Sequence, residues 1–550
     1  MDSSSPSPRR LLWGCALTFF SALVILGWGL SSQRVAATYS DPVAHIRAQD
    51  ESQYVHASLE IANHGGWLTP QFLGRFYLLK PPLLIWATGI SLRIFGINPV
   101  AIRLPALFMG IVACCVVFLW TAQARSLTAG VLASGLLLLN PLWGLLSRLC
   151  YTDTLAASFS ALALWMTAMD PSLERRRTRL LFGLFAGLAV LDKGIAGLIP
   201  CLALVLFACL SRPGMLRVAE SLAVAALVAA PWHLYQLLVH REWFLAEYVQ
   251  TQIVASGVFG TEAGIFNRPA FFYVERLFQL DPFLSVLALI AIGRVIQVLR
   301  KSNNPSTLLA ICWMIVACAA LALFQVRNLP YLALALPPLT LMVGLCSGAW
   351  VEKLGLPRLA GLLALLFVVI TAVTNQTWSL RAVSVPLSGA DNMRLYAEMQ
   401  RPTELIDVST DDEYYSSTLP LPKVRYIYLD PTGSVARSAP HNAYLGITLT
   451  SRQFLDLSRI EPEFEARLRE WGLDSAKPVG TTITVNAISD LAEVIAQRPQ
   501  SDFYLPGAWV PAESVWKHTH RMQQVSGGRV FLLSVTVEGR PGSRIHLPGW

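Results

Sequence analysis

Two adjacent carboxylates, Asp50 and Glu51, stand in the segment AQDESQYVHASLEIANHGGWLTPQFLGRFYLLKPP, which ends on Lys80 and a Pro-Pro pair. A carboxylate so placed can take the proton of an attacking alcohol, typically worth about 10²–10⁴ in rate. Cations such as Lys80, Lys193, Arg268 and Arg327 can neutralise the charge that builds on a departing phosphate. Plainer roles fit the same residues. Asp50 and Glu51 begin an amphipathic stretch, periodic at about 3.6 residues between Tyr54 and Ala62, and suit helix capping there. Lys80 suits a lysine that carries its ammonium to a membrane surface. Asp153, in CYTDTLAAS, reads equally as a site carboxylate or as a cap. Asp192 and Lys193 are chain neighbours and do not face one another on one helix side. His56, His64 and His233 are scattered among apolar neighbours, and no cysteine has metal-ligand spacing. No metal site is read, although a divalent cation beside Asp50 is compatible with the pattern.

The elements that must position these groups are membrane helices. Of 550 residues, 54% are hydrophobic and 14% charged, against about 25% charged in an ordinary soluble domain. All nine cysteines fall in or beside apolar runs. The net charge of +8 comes largely from short basic clusters flanking those runs, which is a topology signal and not a nucleic-acid surface. Crossing about 30 Å of hydrocarbon takes about 20 apolar residues. Eleven spans are expected, near 11–30, 104–122, 127–146, 150–169, 179–192, 194–211, 218–239, 272–298, 305–326, 329–351 and 358–379. The uncharged run after Arg9 and Arg10 exceeds the core of a cleavable signal and is read as a retained first span.

Basic residues collect on the cytoplasmic side of such proteins. With Arg9 and Arg10 there, Arg125, the Arg175–Arg179 cluster, Arg212, Arg217, Arg300, Lys301, Lys353 and Arg358 all fall on that side. This requires the stretch 81–97, which carries Arg93, to be a juxtamembrane or re-entrant helix, or else two added spans and thirteen in total. A single extra span would put the RRRTR cluster outside. The long first loop 31–103, the turn 147–153, Asp192, Lys193, the loop 240–271, Arg327 and the tail then share the outer face.

Several segments in this order resemble those of GT-C glycosyltransferases: DESQY (50–54), GGWLTPQFLGRFYLLKPPLLIW (65–86), FGINPVAIRLPAL (95–107), SRLCYTDTLAASF (147–159), GLAVLDKGIAGLIP (187–200), APWHLY (230–235), NRPAFFY (267–273) and RNLPYLALALPPL (327–339). The resemblance is to the polyprenyl-phosphate-dependent group that includes the aminoarabinose transferase of lipid A and bacterial relatives of protein O-mannosyltransferases. It implies Asp50 as the catalytic carboxylate, with Glu51 a weaker claimant and Tyr54 one helical turn away. It implies Lys80, Arg268 and Tyr331 as contacts of the lipid phosphate. Lys193 matches a family lysine and Asp153 a family acid, and Tyr77 and Arg327 are grouped with the substrate-binding residues. Aminoarabinose transferases carry a glutamate before KPP where this chain has Leu79, which argues against aminoarabinose as the sugar.

Beyond about Arg381, alternating segments such as VRYIYL (424–429), AYLGITL (443–449) and RVFLLSVTV (529–537) suggest strands, and 453–471 and 488–498 suggest helices. The expected architecture is thus a transmembrane GT-C-like domain, 1–380, and a soluble α/β domain, 381–550, on the non-cytoplasmic side. The expected function is an inverting glycosyltransferase of the bacterial inner membrane, working at its periplasmic face. It would move a sugar from a polyprenyl phosphate to a lipid A-like glycolipid, another glycan or a protein. A transporter or flippase of lipid-linked sugars is the alternative, but it would place charges or broken helices at the bilayer midplane, whereas here they gather at one interface.

Overall fold

The computed structural model describes residues 6–28, 30, 50–72, 75–96, 98–245, 247–249, 252–254, 268–269, 271–301, 304–324, 326–347 and 349–374, and six strands between 405 and 537. The chain begins with α1 (Pro8–Gly27), α2 (Asp50–His64), a hairpin of β1 (Gln71–Phe72) and β2 (Arg75–Phe76), and α3 (Leu83–Phe95). There follow α4 (Pro99–Ala124), α5 (Leu127–Leu139), α6 (Pro141–Leu146), α7 (Thr152–Met169), α8 (Arg176–Lys193), a 3₁₀ turn (Gly194–Leu198) and α9 (Ile199–Ser211). Next come α10 (Met215–Val239), α11 (Arg241–Phe244), α12 (Phe272–Leu280), α13 (Pro282–Lys301), α14 (Pro305–Leu323), a second 3₁₀ turn (Leu329–Leu334), α15 (Leu336–Cys346) and α16 (Ala349–Thr374).

Among the described residues six stretches are long and apolar enough to cross a membrane: Pro8–Gly27, Val100–Ala124, Arg176–Ser211, Met215–Val239, Pro305–Leu323 and Leu329–Cys346. Leu83–Phe95, Leu127–Leu139 and Pro282–Val298 are shorter apolar helices. Large apolar side chains such as Leu216, Leu227, Leu238, Ile292 and Leu323 point outward, as helices in lipid require. The Arg176–Ser211 stretch is not one rod. A Cβ at Gly197 would lie 2.2 Å from the carbonyl oxygen of Ala189, eight positions back, where a continuous helix would separate the two by about 12 Å. The chain therefore turns sharply at Gly194–Leu198. With 13 residues, α3 rises about 20 Å, short of a full crossing.

Without a hydrophobic force between helices in lipid, close packing holds them together, and small residues permit it. In GLFAG, Gly183 and Gly187 occupy one stripe of α8. A Cβ at Gly183 would meet Val224 at 2.4 Å, and one at Gly187 would meet the Ala225 carbonyl at 2.7 Å, so α8 and α10 touch backbone to backbone.

Polar contacts sort the helix ends into two groups. At one end Arg125 donates to Leu345 O and pairs with Glu352 at 3.3 Å, Arg176 and Arg179 pair with Glu220, Arg217 donates to Ser172 O, and Arg294 donates to Ser347 O. At the other end lie the starts of α2, α4 and α7 and the ends of α1, α8 and α10, joined by the contacts described below. The basic residues read as one face and the chemistry-bearing residues read as the other are thus separated by the length of the helices.

Among the described C-terminal residues a six-stranded sheet runs in the order β5-β4-β3-β6-β8-β7, from β3 (Leu405–Thr410), β4 (Val424–Leu429), β5 (Thr482–Val485), β6 (Asp502–Pro506), β7 (Trp516–Val525) and β8 (Arg529–Val537). The first four in that order are parallel, and β8 joins β6 and β7 antiparallel. VRYIYL and RVFLLSVTV are β4 and β8. The expected strand AYLGITL and the expected helices at 453–471 and 488–498 lie outside the described residues.

Candidate active site

The stretch between α2 and α3 builds one wall of the site. Gly65 and Gly66, both at positive φ, end α2 and release the segment 67–80 across the helix ends. That segment is tied down by indoles and amides. Trp86 donates to Trp67 O, Trp232 to Leu68 O at 2.9 Å, and Gln236 to Leu68 O at 2.6 Å. The His240 ring lies 3.2 Å from Thr69 Oγ1 and 4.5 Å from the Phe76 ring, and burial pulls its pKa down to about 4. Leu78 N–H donates to the buried Glu247 carboxylate at 2.7 Å, which sets the direction in which Lys80 emerges.

Lys80, Lys193 and Tyr331 line one cleft of about 700 Å³. Lys80 donates to Gln252 Oε1. Lys193 is nearly buried, 2.8 Å from Asp153 Oδ2 and 3.2 Å from Thr152 Oγ1, with its ammonium 5.0 Å from the centre of the Tyr331 ring. An ammonium has three donors, and these two partners leave one of them for the cleft. The rest of the lining includes an apolar set: Ala320, Leu321, Phe324, Val326 and Leu334.

Arg268 and Arg327 form a second, adjoining group. The Arg327 guanidinium donates to Arg268 O at 2.6 Å, and the Arg268 guanidinium lies 4.5 Å over the Phe272 ring. Both arginines and Asp153 act electrostatically on the Tyr273 phenol, which links the two groups. Tyr54 and Tyr77 are buried beside the cleft. Their rings meet edge-on at 6.4 Å, Tyr54 also meets Tyr151 at 6.3 Å, and the Tyr77 hydroxyl donates to Gln53. In this structure they brace α2 and are not among the residues lining the cleft.

Asp50 is the first residue of α2, and its side chain lies outside the described set. Glu51 is fully buried. It accepts two bonds from Arg103, at 3.0 and 3.3 Å, and one from Cys150 N–H at 2.9 Å, while Arg103 also donates to Leu30 O at 2.9 Å. Through it the ends of α1, α2, α4 and α7 are joined. Burial pushes the Cys150 thiol up to about 12, so it is no nucleophile at neutral pH. Arg148 donates to Ile25 O and Leu26 O, closing the carbonyl end of α1, and burial draws its pKa down to about 10.

Arg103, Arg148, Tyr248 and Gln252 were not singled out from sequence. The arginines carried a signal: a charge in an apolar run demands a buried partner. Asp192 is wholly buried, and neither of its carboxylate oxygens has a hydrogen-bond partner among the described residues. Tyr248 and Gln252 lie in a π-helical stretch with no apolar period to mark it. Among the described residues no group of three His, Cys, Asp or Glu could hold a metal.

Residues 79–238 match the family model described as dolichyl-phosphate-mannose-protein mannosyltransferase. The chain is 27% identical over 314 residues to an undecaprenyl phosphate-α-4-amino-4-deoxy-L-arabinose arabinosyl transferase of Aeromonas salmonicida (strain A449), a match that spans about half of each, 54% of both. Among solved structures it resembles ArnT from Cupriavidus metallidurans bound to undecaprenyl phosphate, with a TM-score of 0.65 at 16% identity, covering 94% of this chain and 97% of that one. It also resembles the archaeal oligosaccharyltransferase AglB from Archaeoglobus fulgidus, solved with an inhibitory peptide and a dolichol-phosphate, with a TM-score of 0.50 at 15% identity over 75% of this chain and 64% of that one. The chain is a multi-pass membrane protein with the GT-C glycosyltransferase fold, and it resembles the aminoarabinose transferases.

Proposed function

We propose that the chain is an inverting glycosyltransferase that takes a sugar from a polyprenyl phosphate and passes it to an acceptor at the periplasmic face of a bacterial inner membrane. The observation that carries this reading is the convergence of Lys80, Lys193 and Tyr331, distant in sequence, on one cleft whose remaining lining is largely apolar. Such a cleft suits a phosphate at its cationic side and the first isoprene units along the apolar side. The cleft lies at the helix ends opposite the basic clusters, and because basic residues collect on the cytoplasmic side we assign it to the periplasmic side. The segment after residue 380, which holds the six described strands, is assigned to the same side.

In the reaction the acceptor oxygen attacks the anomeric carbon from the face opposite the phosphate. The bond from that carbon to the phosphate oxygen breaks, its electron pair stays on the phosphate, and the anomeric configuration inverts. Lys80 and the remaining Lys193 donor hold the phosphate as its charge grows, and Arg268 and Arg327 add positive potential from the side. If the acceptor is an alcohol, Asp50 takes its proton. A phosphate acceptor needs no such base, and Asp50 then orients it; a divalent cation beside Asp50 fits either acceptor. A lipid A-like glycolipid, another glycan and a protein all present suitable groups. Leu79, on the cleft wall, offers no charge to pair with an amino sugar.

The test is transfer of labelled sugar from polyprenyl-phosphate donors in membranes holding the wild type, Asp50→Asn or Lys80→Ala. We expect losses of at least about 100-fold in each variant. Full activity in both would overturn the site. Movement of intact lipid across liposomes without cleavage of the sugar–phosphate bond would identify a transporter instead.

A further inference from the structure

The cleft also carries a tyrosine that the proposed reaction does not use. Tyr248 stacks on Phe244, with ring centres 4.9 Å apart and planes at 14°, and meets Trp232 edge-on at 6.4 Å, so its ring is fixed. Its hydroxyl lies 3.0 Å from Nε2 of His233, and Nδ1 of His233 lies 2.8 Å from the Ala229 carbonyl oxygen. A carbonyl oxygen only accepts, so Nδ1 carries a proton. In the neutral ring Nε2 is then an acceptor. Tyr248 must therefore give its one hydroxyl proton to His233. What its oxygen retains toward the cleft is lone-pair capacity alone.

Room for that oxygen is built into the backbone. Gly194, next to Lys193, holds φ at +55°, and a Cβ there would lie 2.5 Å from the Tyr248 hydroxyl. Burial raises the phenol's pKa, which keeps its proton in place at neutral pH. An oxygen that can only accept does not bind phosphate oxygens, which are acceptors too. Its partner must bring a hydrogen, as an O–H or an N–H.

We infer that Tyr248, with its proton committed to His233, forms a sugar-reading subsite that accepts a hydrogen bond from a hydroxyl or ammonium group on the glycosyl unit of a lipid-linked donor. This rests on the reading of Lys80 and Lys193 as the phosphate side of the same cleft.

The experiment compares binding of bare polyprenyl phosphate and of polyprenyl-phosphate sugars to the purified full chain in lipid nanodiscs. Tyr248→Phe keeps the stacked ring and removes only the hydroxyl. The bare lipid should bind Tyr248→Phe within twofold of wild type, and the sugar-bearing lipid about 3–10-fold more weakly, the worth of one neutral hydrogen bond. Gly194→Ala, which crowds the same oxygen, should show the same selective loss, so the inference does not hang on one variant. Donors with an all-hydroxyl sugar and with an amino sugar separate the two groups, since the one read by Tyr248 is the one that loses affinity in Tyr248→Phe. Equal weakening of bare and sugar-bearing lipid, or no change in either, would overturn the subsite. If the wild-type chain bound neither lipid, the phosphate reading of the cleft would itself fall.

Discussion

Replacing Glu51 by glutamine separates a structural carboxylate from a reacting one. Glu51 is fully buried and Arg103 is 2% exposed, so the substitution keeps the size of the side chain but removes a carboxylate charge that faces the Arg103 guanidinium at 3.0 Å. Breaking a buried pair on one side costs about 3–5 kcal/mol, because the remaining charge stays desolvated. Glutamine still offers one oxygen to Arg103 or Cys150 N–H, which argues for the lower end, about 3 kcal/mol. In detergent this predicts a fall in melting temperature of about 3 °C. The double variant Glu51→Gln, Arg103→Met removes both charges of the pair and should recover most of that loss, since replacing both members of a buried pair is often neutral. Differential scanning fluorimetry on the four members of the cycle gives the coupling, and transfer assays on the same samples give the activity. The reasoning is refuted if Glu51→Gln melts like the wild type while its turnover drops by about 100-fold or more. That result would make Glu51 the proton acceptor.

Asp192→Asn should hold or raise the melting temperature in detergent, by up to about 3 °C, because it keeps the shape of a wholly buried side chain and removes its ability to ionise there; a lower melting temperature would show that its attraction to Lys193 outweighs its burial. His240 makes the fold pH-sensitive. Its folded pKa, about 4, lies below the ordinary value of 6.5, so the unfolded chain binds the proton first. Stability is complete above about pH 6.5 and falls as the pH drops toward 4, by up to about 2 kcal/mol. Melting curves at pH 7 and pH 5 should therefore differ more for wild type than for His240→Gln, and equal differences would show that the ring is not buried in its neutral form.

Most membrane helices were legible because a run of residues without charge is visible in any window of the sequence. The departures share a cause. The span expected from 104 begins at Pro99, with Asn98 capping it through a bond to Ala101 N–H, because Arg103 does not end the run: Glu51, 52 positions away, satisfies it. The run 127–146, expected as one span, is two helices that meet at Asn140, whose side chain caps α6, and the run 272–298 is interrupted at Asp281, whose carboxylate caps α13. These two interruptions face each other: Asn140 Nδ2 donates to Asp281 Oδ2 at 3.0 Å. Each residue alone looks too polar for its place, and the pair makes both places tolerable.

The same limit applied at the site. Asp50 and Glu51 are alike in residue type and adjacent in the chain, and nothing in the sequence marks Glu51 as the one that meets Arg103. The Lys80 and Lys193 positions could be read because a cation at a helix end is marked by the apolar run beside it and by the family segments. Tyr248 could not, because its use depends on which nitrogen of His233 carries the proton, and that is decided by the Ala229 carbonyl, one turn back on α10. Hydropathy assigns a cost to each residue separately. The chemistry of this cleft is set by pairs, and the residues most out of place by the first measure are the ones whose partners fix the geometry.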